Sequence, residues 1–305
     1  MGKIPVTVIG GYLGSGKTTL INKVISEDHG LKLALLINDF GDVNIDASLI
    51  ESQDGDVLSL SNGCVCCTLS DDFSQAMEQI QNSSHKFDRV IIEMSGIGEP
   101  HKVASYVEKT DYFLDGVVVL LDVTRVQEWA ENKYVGPLIM RQIESADLLV
   151  GTHLDLADAS RGKEVEEWLE NFTDSVFLRA PISLPLLMGL ESNSKLNDDP
   201  NLDHGHSTVT GLVESLVSKN FLEGWFSRRP KGIVRVKGIF EIQDENEEFF
   251  IVQSCGSRVT IEPFSANTLE KMNVIVVIAT KDATEKEIEE WLNEIGTPDH
   301  HVHNH

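Results

Sequence analysis

The chain is short of positive charge, of cysteine, of aromatic residues and of long apolar runs, and each shortage excludes something. Against 49 Asp and Glu stand only 25 Lys and Arg, a formal net charge of −24. A surface of that sign repels the phosphate backbone of nucleic acids and anionic bilayers, and it attracts cations and basic protein surfaces. No nucleic acid and no membrane is therefore expected as a partner. No apolar stretch approaches the roughly 20 residues that span a bilayer. The first residues run directly into a strand-like apolar segment, without the leader of a secreted protein. Four cysteines are too few for a disulfide framework. Three of them crowd at Cys64, Cys66 and Cys67, which suits metal ligation or thiol chemistry in a reducing compartment. A cytoplasmic protein is the expectation.

What is present is an alternation of short apolar runs and amphipathic stretches. A length of 305 residues predicts about two domains. Val6–Gly10, Leu33–Ile37, Val57–Leu60, Arg89–Glu93, Gly116–Leu121, Leu148–Val150 and Ser175–Leu178 read as strands covered on both faces. Helical stripes lie between them, such as Phe73, Ala76, Met77 and Ile80. The pattern predicts an α/β domain with a mostly parallel sheet flanked by helices, over residues 1–190. Residues 191–230 read as a linker rich in Ser, Asn, Asp and Pro plus a connecting helix, placed at Val209–Val217. Residues 231–297 read as a smaller α+β domain: strands at Gly232–Phe240, Phe249–Gln253, Val259–Ile261 and Val274–Ala279, then a helix capped by Thr284 with Glu287 in the capping-box position. Residues 298–305 form a His-rich tail. Its histidines, with His204 and His206, are as consistent with adventitious metal binding as with a function.

The chemistry begins at Gly11-Tyr12-Leu13-Gly14-Ser15-Gly16-Lys17-Thr18. The spacing G-x-x-x-x-G-K-T, between a strand and a helix, is the phosphate-binding loop pattern. Glycines let successive N–H groups turn inward as an anion nest, and the helix N-terminus adds free donors. Gly11, Gly14, Ser15, Gly16, Lys17, Thr18 and Thr19 are the expected phosphate cradle. Lys17 reaches the β- and γ-phosphates and Thr18 ligates Mg²⁺. Glu93 ends a strand just before Met94-Ser95-Gly96. An acid there can hold Mg²⁺ through a water, with the Gly96 N–H as a γ-phosphate donor. Asp39 and Asp42 follow another strand, where they can ligate Mg²⁺ or position the attacking water. Asp155, in Thr152-His153-Leu154-Asp155, can accept two hydrogen bonds from guanine N1–H and N2–H₂, which adenine does not offer. GTP is thus the expected nucleotide, although Thr152 and His153 replace the Asn and Lys usual at this place. Thiolates at Cys64, Cys66 and Cys67 can converge on a soft tetrahedral cation such as Zn²⁺ and leave a fourth position open. Buried free thiols and redox chemistry are the alternatives.

Taken together, these residues resemble the CobW-type metallochaperone GTPases, related to the GTPases that insert nickel into urease and hydrogenase. The resemblance runs through Gly11–Thr19, Asn38–Asp46, Gly63–Cys67, Glu93–Gly96, Gln142–Asp155 and Lys237-Gly238. It implies a GTPase domain followed by a CobW C-terminal domain. It also implies a transition-metal site on Cys64, Cys66 and Cys67, for Zn²⁺ or in some members Co²⁺, formed when Mg²⁺–GTP is bound. Hydrolysis would release the metal to a client metalloprotein. Two positions depart from the family. Asp39 and Asp42 stand where it has Glu, and Thr152 and His153 break its Asn-Lys-x-Asp. With no arginine finger evident in the sequence, slow intrinsic hydrolysis is expected. The other readings are a zinc buffer or sensor tuned by nucleotide, and a dedicated activator of one metalloenzyme such as a nitrile hydratase.

Overall fold

The computed structural model describes residues 3–26, 31–37, 57–61, 71–82, 87–182, 187, 206–213, 217–243, 249–264, 273–298 and 303–304. The chain divides into two units, Lys3–Pro181 and the segment from Ile182 onward.

The first unit is built on a seven-stranded sheet in the order β3-β2-β4-β1-β5-β6-β7. The strands are β1 (Pro5–Gly11), β2 (Leu33–Ile37), β3 (Val57–Ser61), β4 (Arg89–Glu93), β5 (Phe113–Asp122), β6 (Leu148–Thr152) and β7 (Val176–Arg179). Every pairing is parallel. That is why the strands read as unbroken apolar runs: β2, β4 and β5 are buried along their whole length. The helices are α1 (Lys17–Ser26), α2 (Asp71–Asn82), α3 (Pro100–Val107), α4 (Val126–Glu131), α5 (Gly136–Glu144) and α6 (Arg161–Leu169). Phe73, Ala76, Met77 and Ile80 of α2 and Ile139 and Ile143 of α5 join the core with the strand residues.

Buried polar groups pin the strand ends away from the phosphate-binding loop. Arg89 Nη1 lies 2.7 Å from Asp115 Oδ2 and donates to Thr7 Oγ1 at 3.1 Å, joining β4, β5 and β1. The Asp147 carboxylate accepts the Val117 N–H at 2.8 Å and anchors β6 on β5. Tyr112 enters β5 with its hydroxyl donating to the Met77 carbonyl at 2.6 Å, which ties α2 down.

The second unit has an antiparallel sheet in the order β11-β10-β9-β12-β8-β13, with β14 also on β8. These strands are β8 (His206–Val213), β9 (Ile233–Glu241), β10 (Phe249–Cys255), β11 (Arg258–Phe264), β12 (Val274–Thr280), β13 (Gly296–Pro298) and β14 (His303–Asn304). Helices α7 (Lys219–Ser227) and α8 (Glu285–Leu292) contribute Leu222, Trp225, Ile288 and Trp291 to its core. The Thr284 hydroxyl accepts the Glu287 N–H at 3.3 Å and the Glu287 carboxylate accepts the Thr284 N–H at 2.8 Å, the expected capping box. One expectation is corrected. Val209–Val217 is not a helix: residues through Val213 are strand β8, paired antiparallel with β12. Val209, Leu212, Val213 and Val217 sit at helical spacing. The run Thr208-Val209-Thr210 is nevertheless β-branched, and a neighbouring strand satisfies its backbone groups. Residues 191–205, and His300, His301 and His305 of the tail, lie outside the described residues.

Two outcomes follow from the buried polar groups. Asp115→Ala removes the buried carboxylate 2.7 Å from Arg89 and should cost about 3 kcal/mol in denaturant unfolding, whereas Asp115→Leu combined with Arg89→Met should cost much less. Burial pushes the Tyr112 phenol up from its ordinary 10.0 to about 12. The folded state therefore favours the neutral phenol, and this contribution to stability is intact below the ordinary value. It is lost as pH climbs through about 12. Unfolding measured across that alkaline range should show a steeper loss in the wild-type protein than in Tyr112→Phe.

Candidate functional site

The site lies at the carboxyl ends of β1, β4, β5 and β6. Parallel open sheets bind ligands at this edge because their loops and helix N-termini gather there. β1 is central, with β4 on one side and β5 on the other. Between Gly11 and Lys17 the backbone turns through Gly11, Gly14 and Gly16, whose φ angles are 134°, 76° and 90°. A Cβ on Gly11 would also lie 2.5 Å from the Leu120 carbonyl oxygen, so neither backbone angle nor space admits another residue there. The loop closes on a turn from the Ser15 N–H to the Tyr12 carbonyl at 3.1 Å.

Lys17, buried at the first turn of α1, donates from Nζ to the Gly11 carbonyl at 2.9 Å and the Tyr12 carbonyl at 3.2 Å. Its ammonium is thus held across the mouth of the loop. Ser15 Oγ is buried without a hydrogen-bond partner among the described residues. A concave loop of positive-φ glycines, a buried ammonium and an unsatisfied hydroxyl fit a polyphosphate and suit little else. Thr18 follows and donates from Oγ1 to Glu93 Oε1 at 3.2 Å. The ladder sets this distance, because Ile9 stands opposite Glu93 in the β1–β4 register and the Met94 N–H continues it to the Ile9 carbonyl at 2.8 Å. A hydroxyl touching a buried carboxylate beside a phosphate cradle is a donor set suited to Mg²⁺.

After β4 the chain makes a turn at Ser95-Gly96-Ile97-Gly98, with the Gly98 N–H donating to the Ser95 carbonyl at 2.8 Å. A Cβ on Gly96 would come within 2.8 Å of the Leu13 backbone nitrogen, so this turn lies directly against the phosphate-binding loop.

The end of β6 closes the other side. Thr152 stands opposite Asp122 in the β5–β6 ladder. Its Oγ1 lies 3.0 Å from the Ser15 carbonyl and 3.2 Å from the Leu121 carbonyl. One hydroxyl proton serves these two acceptors, so the side chain bridges β6 to the loop. His153 takes a left-handed conformation, φ 58°. Its Nδ1 is 3.2 Å from Thr152 Oγ1 and 3.7 Å from Asp122 Oδ2. Asp122 is fixed in turn by the Thr124 N–H at 2.9 Å and hydroxyl at 2.5 Å. Asp155 lies in the single 3₁₀ turn Leu154–Leu156 with its side chain exposed, open to the edge of a base.

The chain matches the nucleotide-binding domain of the CobW/HypB/UreG family over residues 5–177 and the C-terminal domain of the cobalamin synthesis protein cobW over residues 211–295. It belongs to the CobW/HypB/UreG family. A curated relative, zinc chaperone CobW of Sinorhizobium sp, is 26% identical over 85% of this chain and 87% of its own length. Another, zinc-regulated GTPase metalloprotein activator 1 of Dictyostelium discoideum, is 29% identical over 78% of this chain. This CobW-family chain spans 59% of that relative's length. The crystal structure of Zn(II)-bound YjiA GTPase from E. coli superposes with TM-score 0.46 and 23% identity, covering 97% of this chain and 99% of that one.

Of the residues expected to form the site, the structure brings together Gly11, Gly14, Ser15, Gly16, Lys17, Thr18, Glu93, Gly96, Thr152 and His153. Thr19 is on the exposed side of α1, and Asp155 is exposed in its 3₁₀ turn. Asp39, Asp42, Cys64, Cys66 and Cys67 lie outside the described residues. Two contributors had no role assigned from the sequence, although Gln142 opens one of the stretches that carry the resemblance. Asp122 steadies His153, and its only sequence signal is a strand-end carboxylate. Gln142 of α5, 1% exposed, donates from Nε2 to the Gly98 carbonyl at 2.8 Å and the Gly96 carbonyl at 3.3 Å. A glutamine within an amphipathic helix carries no such message until the tertiary contact is known.

The Thr152 bridge gives a direct test. Thr152→Val keeps the shape and removes the hydroxyl, so unfolding of the nucleotide-free protein in urea should show a loss of about 1 kcal/mol. An unchanged midpoint would mean that the bridge contributes nothing.

Proposed function

We propose that this chain is a GTP-hydrolysing metallochaperone. In this reading it takes up a transition metal on Cys64, Cys66 and Cys67 while Mg²⁺–GTP is bound, and passes the metal to a client metalloprotein on hydrolysis. Zn²⁺ is the first choice of cargo and Co²⁺ the alternative. The chain is a GTPase of the CobW/HypB/UreG family. The observation that carries the rest is the 3.2 Å contact between Thr18 and Glu93 at the phosphate cradle. It occurs in a sheet whose strand β3 runs, in sequence, directly into Gly63-Cys64-Val65-Cys66-Cys67. Relatives named as zinc chaperones support the choice of cargo.

The roles follow from the chemistry of each group. Lys17 exchanges its bonds to the Gly11 and Tyr12 carbonyls for β- and γ-phosphate oxygens, and the loop amides carry the remaining negative charge. Thr18 would hold Mg²⁺ through its hydroxyl, Glu93 through a water, and Asp39 would add a second carboxylate. When bound, the cation neutralises charge developing on the phosphates. The Gly96 N–H donates to the γ-phosphate, so the turn after β4 distinguishes GTP from GDP. Asp155 accepts the guanine N1–H and N2–H₂. Thr152 keeps the base-reading turn tied to the loop, and the His153 ring, steadied by Asp122, stands beside it. The soft thiolates of Cys64, Cys66 and Cys67 leave a tetrahedral metal one position for water or for the incoming ligand of the client.

Competition titration of Zn²⁺ and of Co²⁺ with Mg²⁺–GTP, with Mg²⁺–GDP and without nucleotide tests the coupling. The expected result is tightest binding with GTP. Equal affinity in all three states would sink the switch, since a ligand shifts an equilibrium only through differential affinity. Cys66→Ser should abolish tight binding; retention of it would move the metal site elsewhere.

A further inference from the structure

The turn that faces the γ-phosphate position is held from outside the nucleotide site. Gly96 has the least conformational restraint of any residue type, yet the peptide planes on both its sides are locked. On the N-terminal side the Ser95 carbonyl is engaged by the Gly98 N–H at 2.8 Å. The Ser95–Gly96 peptide is planar and trans, so fixing that carbonyl fixes the opposite direction of the Gly96 N–H. On the C-terminal side the Gly96 carbonyl is engaged by Gln142 Nε2 at 3.3 Å, and the same amide holds the Gly98 carbonyl at 2.8 Å. An amide group has two protons to donate, and here two carbonyls receive them. Both partners are acceptors, so the nitrogen of Gln142 must point to the turn.

Gln142 is itself fixed. Its side chain is buried on α5 beside Ile139 and Ile143 of the core, and its backbone carbonyl accepts the Ser145 hydroxyl at 2.9 Å. The neighbouring Arg141 adds a second tie from the same helix, Nε to Glu99 Oε2 at 3.5 Å, just past the turn. On the opposite side of Gly96 stands Leu13 of the phosphate-binding loop, with no room for a Cβ between them. The glycine backbone is thus clamped between the cradle and helix α5.

We propose that Gln142 is a positioning residue for γ-phosphate discrimination. Its amide removes the freedom of Gly96 in advance, so that the Gly96 N–H meets the γ-phosphate without first being ordered. The proposal rests on the reading of Gly96 as the γ-phosphate donor. It makes α5, through its hold on the turn at Gly96, a determinant of the preference for triphosphate over diphosphate.

The test is the ratio of affinities for a non-hydrolysable GTP analogue and for GDP, both with Mg²⁺, in the full chain. Gln142→Met keeps the length and loses both donors. Its GDP affinity should match wild type, because GDP does not reach Gly96. Its GTP-analogue affinity should fall about tenfold, the order expected for one misaligned hydrogen bond to a charged oxygen, with kcat falling more than KM changes. Gln142→Ala, in which water can enter and satisfy the two carbonyls, reads the same ratio should the Met variant not fold. Loss of both affinities together would reduce Gln142 to a structural residue. A wild-type ratio near one would overturn the reading of Gly96 itself. A large wild-type ratio that survives in the variants would overturn the role of Gln142 alone.

Discussion

The register between β1 and β4 is the constraint on which the site depends. Ile9 opposite Glu93 brings the carboxylate to the first turn of α1, where Thr18 meets it. Side chains alternate along a strand, so a slip of one residue would turn Glu93 to the other face of the sheet and separate the pair. The same ladder carries Met94 and the turn at Gly96 to the phosphate-binding loop. On the other flank, β5 and β6 are set by Asp122 opposite Thr152, and the Thr152 hydroxyl closes the arrangement against Ser15. Backbone hydrogen bonding along the sheet, more than any single side chain, therefore determines where the chemistry converges.

Polar groups are used differently at the two ends of that sheet. Toward the strand starts, Arg89, Asp115 and Thr7 satisfy one another and Asp147 satisfies the β5 backbone. Toward the strand ends, a buried ammonium rests on loop carbonyls and a buried serine hydroxyl has no partner among the described residues. Unsatisfied buried donors are costly in a closed interior. At this edge, Ser15 Oγ and Glu93 Oε2 stand beside the loop where a ligand and its cation would be accommodated. Thr152, where the family has Asn, ties β6 to the loop through its hydroxyl.

Much of this was legible in the residues. Phosphate binding requires glycines, lysine and a hydroxyl at fixed spacing, so the loop announced itself. The parallel sheet did so too, because strands covered on both faces leave long apolar runs such as Leu33–Ile37 and Arg89–Glu93. Thr284 and Glu287 formed their capping box as expected. Val209–Val217 misled, since four apolar residues at helical spacing also fit a half-exposed strand, and only the partner strand β12 decides between them. Gln142 was invisible for a related reason: its meaning resides in two carbonyls more than 40 residues away along the chain. Asp39, Asp42 and the three clustered cysteines lie outside the described residues, so their readings rest on the sequence and on the family.

The core of the second unit contains one more arrangement with a consequence. Trp225 of α7 and Trp291 of α8 stack with ring centroids 3.6 Å apart and planes 6° from parallel. Each indole N–H donates to the other residue's carbonyl, at 2.9 Å and 3.0 Å. Two indoles held face to face at that separation couple their electronic transitions and form a chiral chromophore pair. Of the chain's four tryptophans, the other two, Trp129 and Trp168, pack against the core of the first unit. The molecule thus carries a built-in optical label in which an exciton signal reports the C-terminal unit while ordinary tryptophan emission includes the nucleotide-binding one.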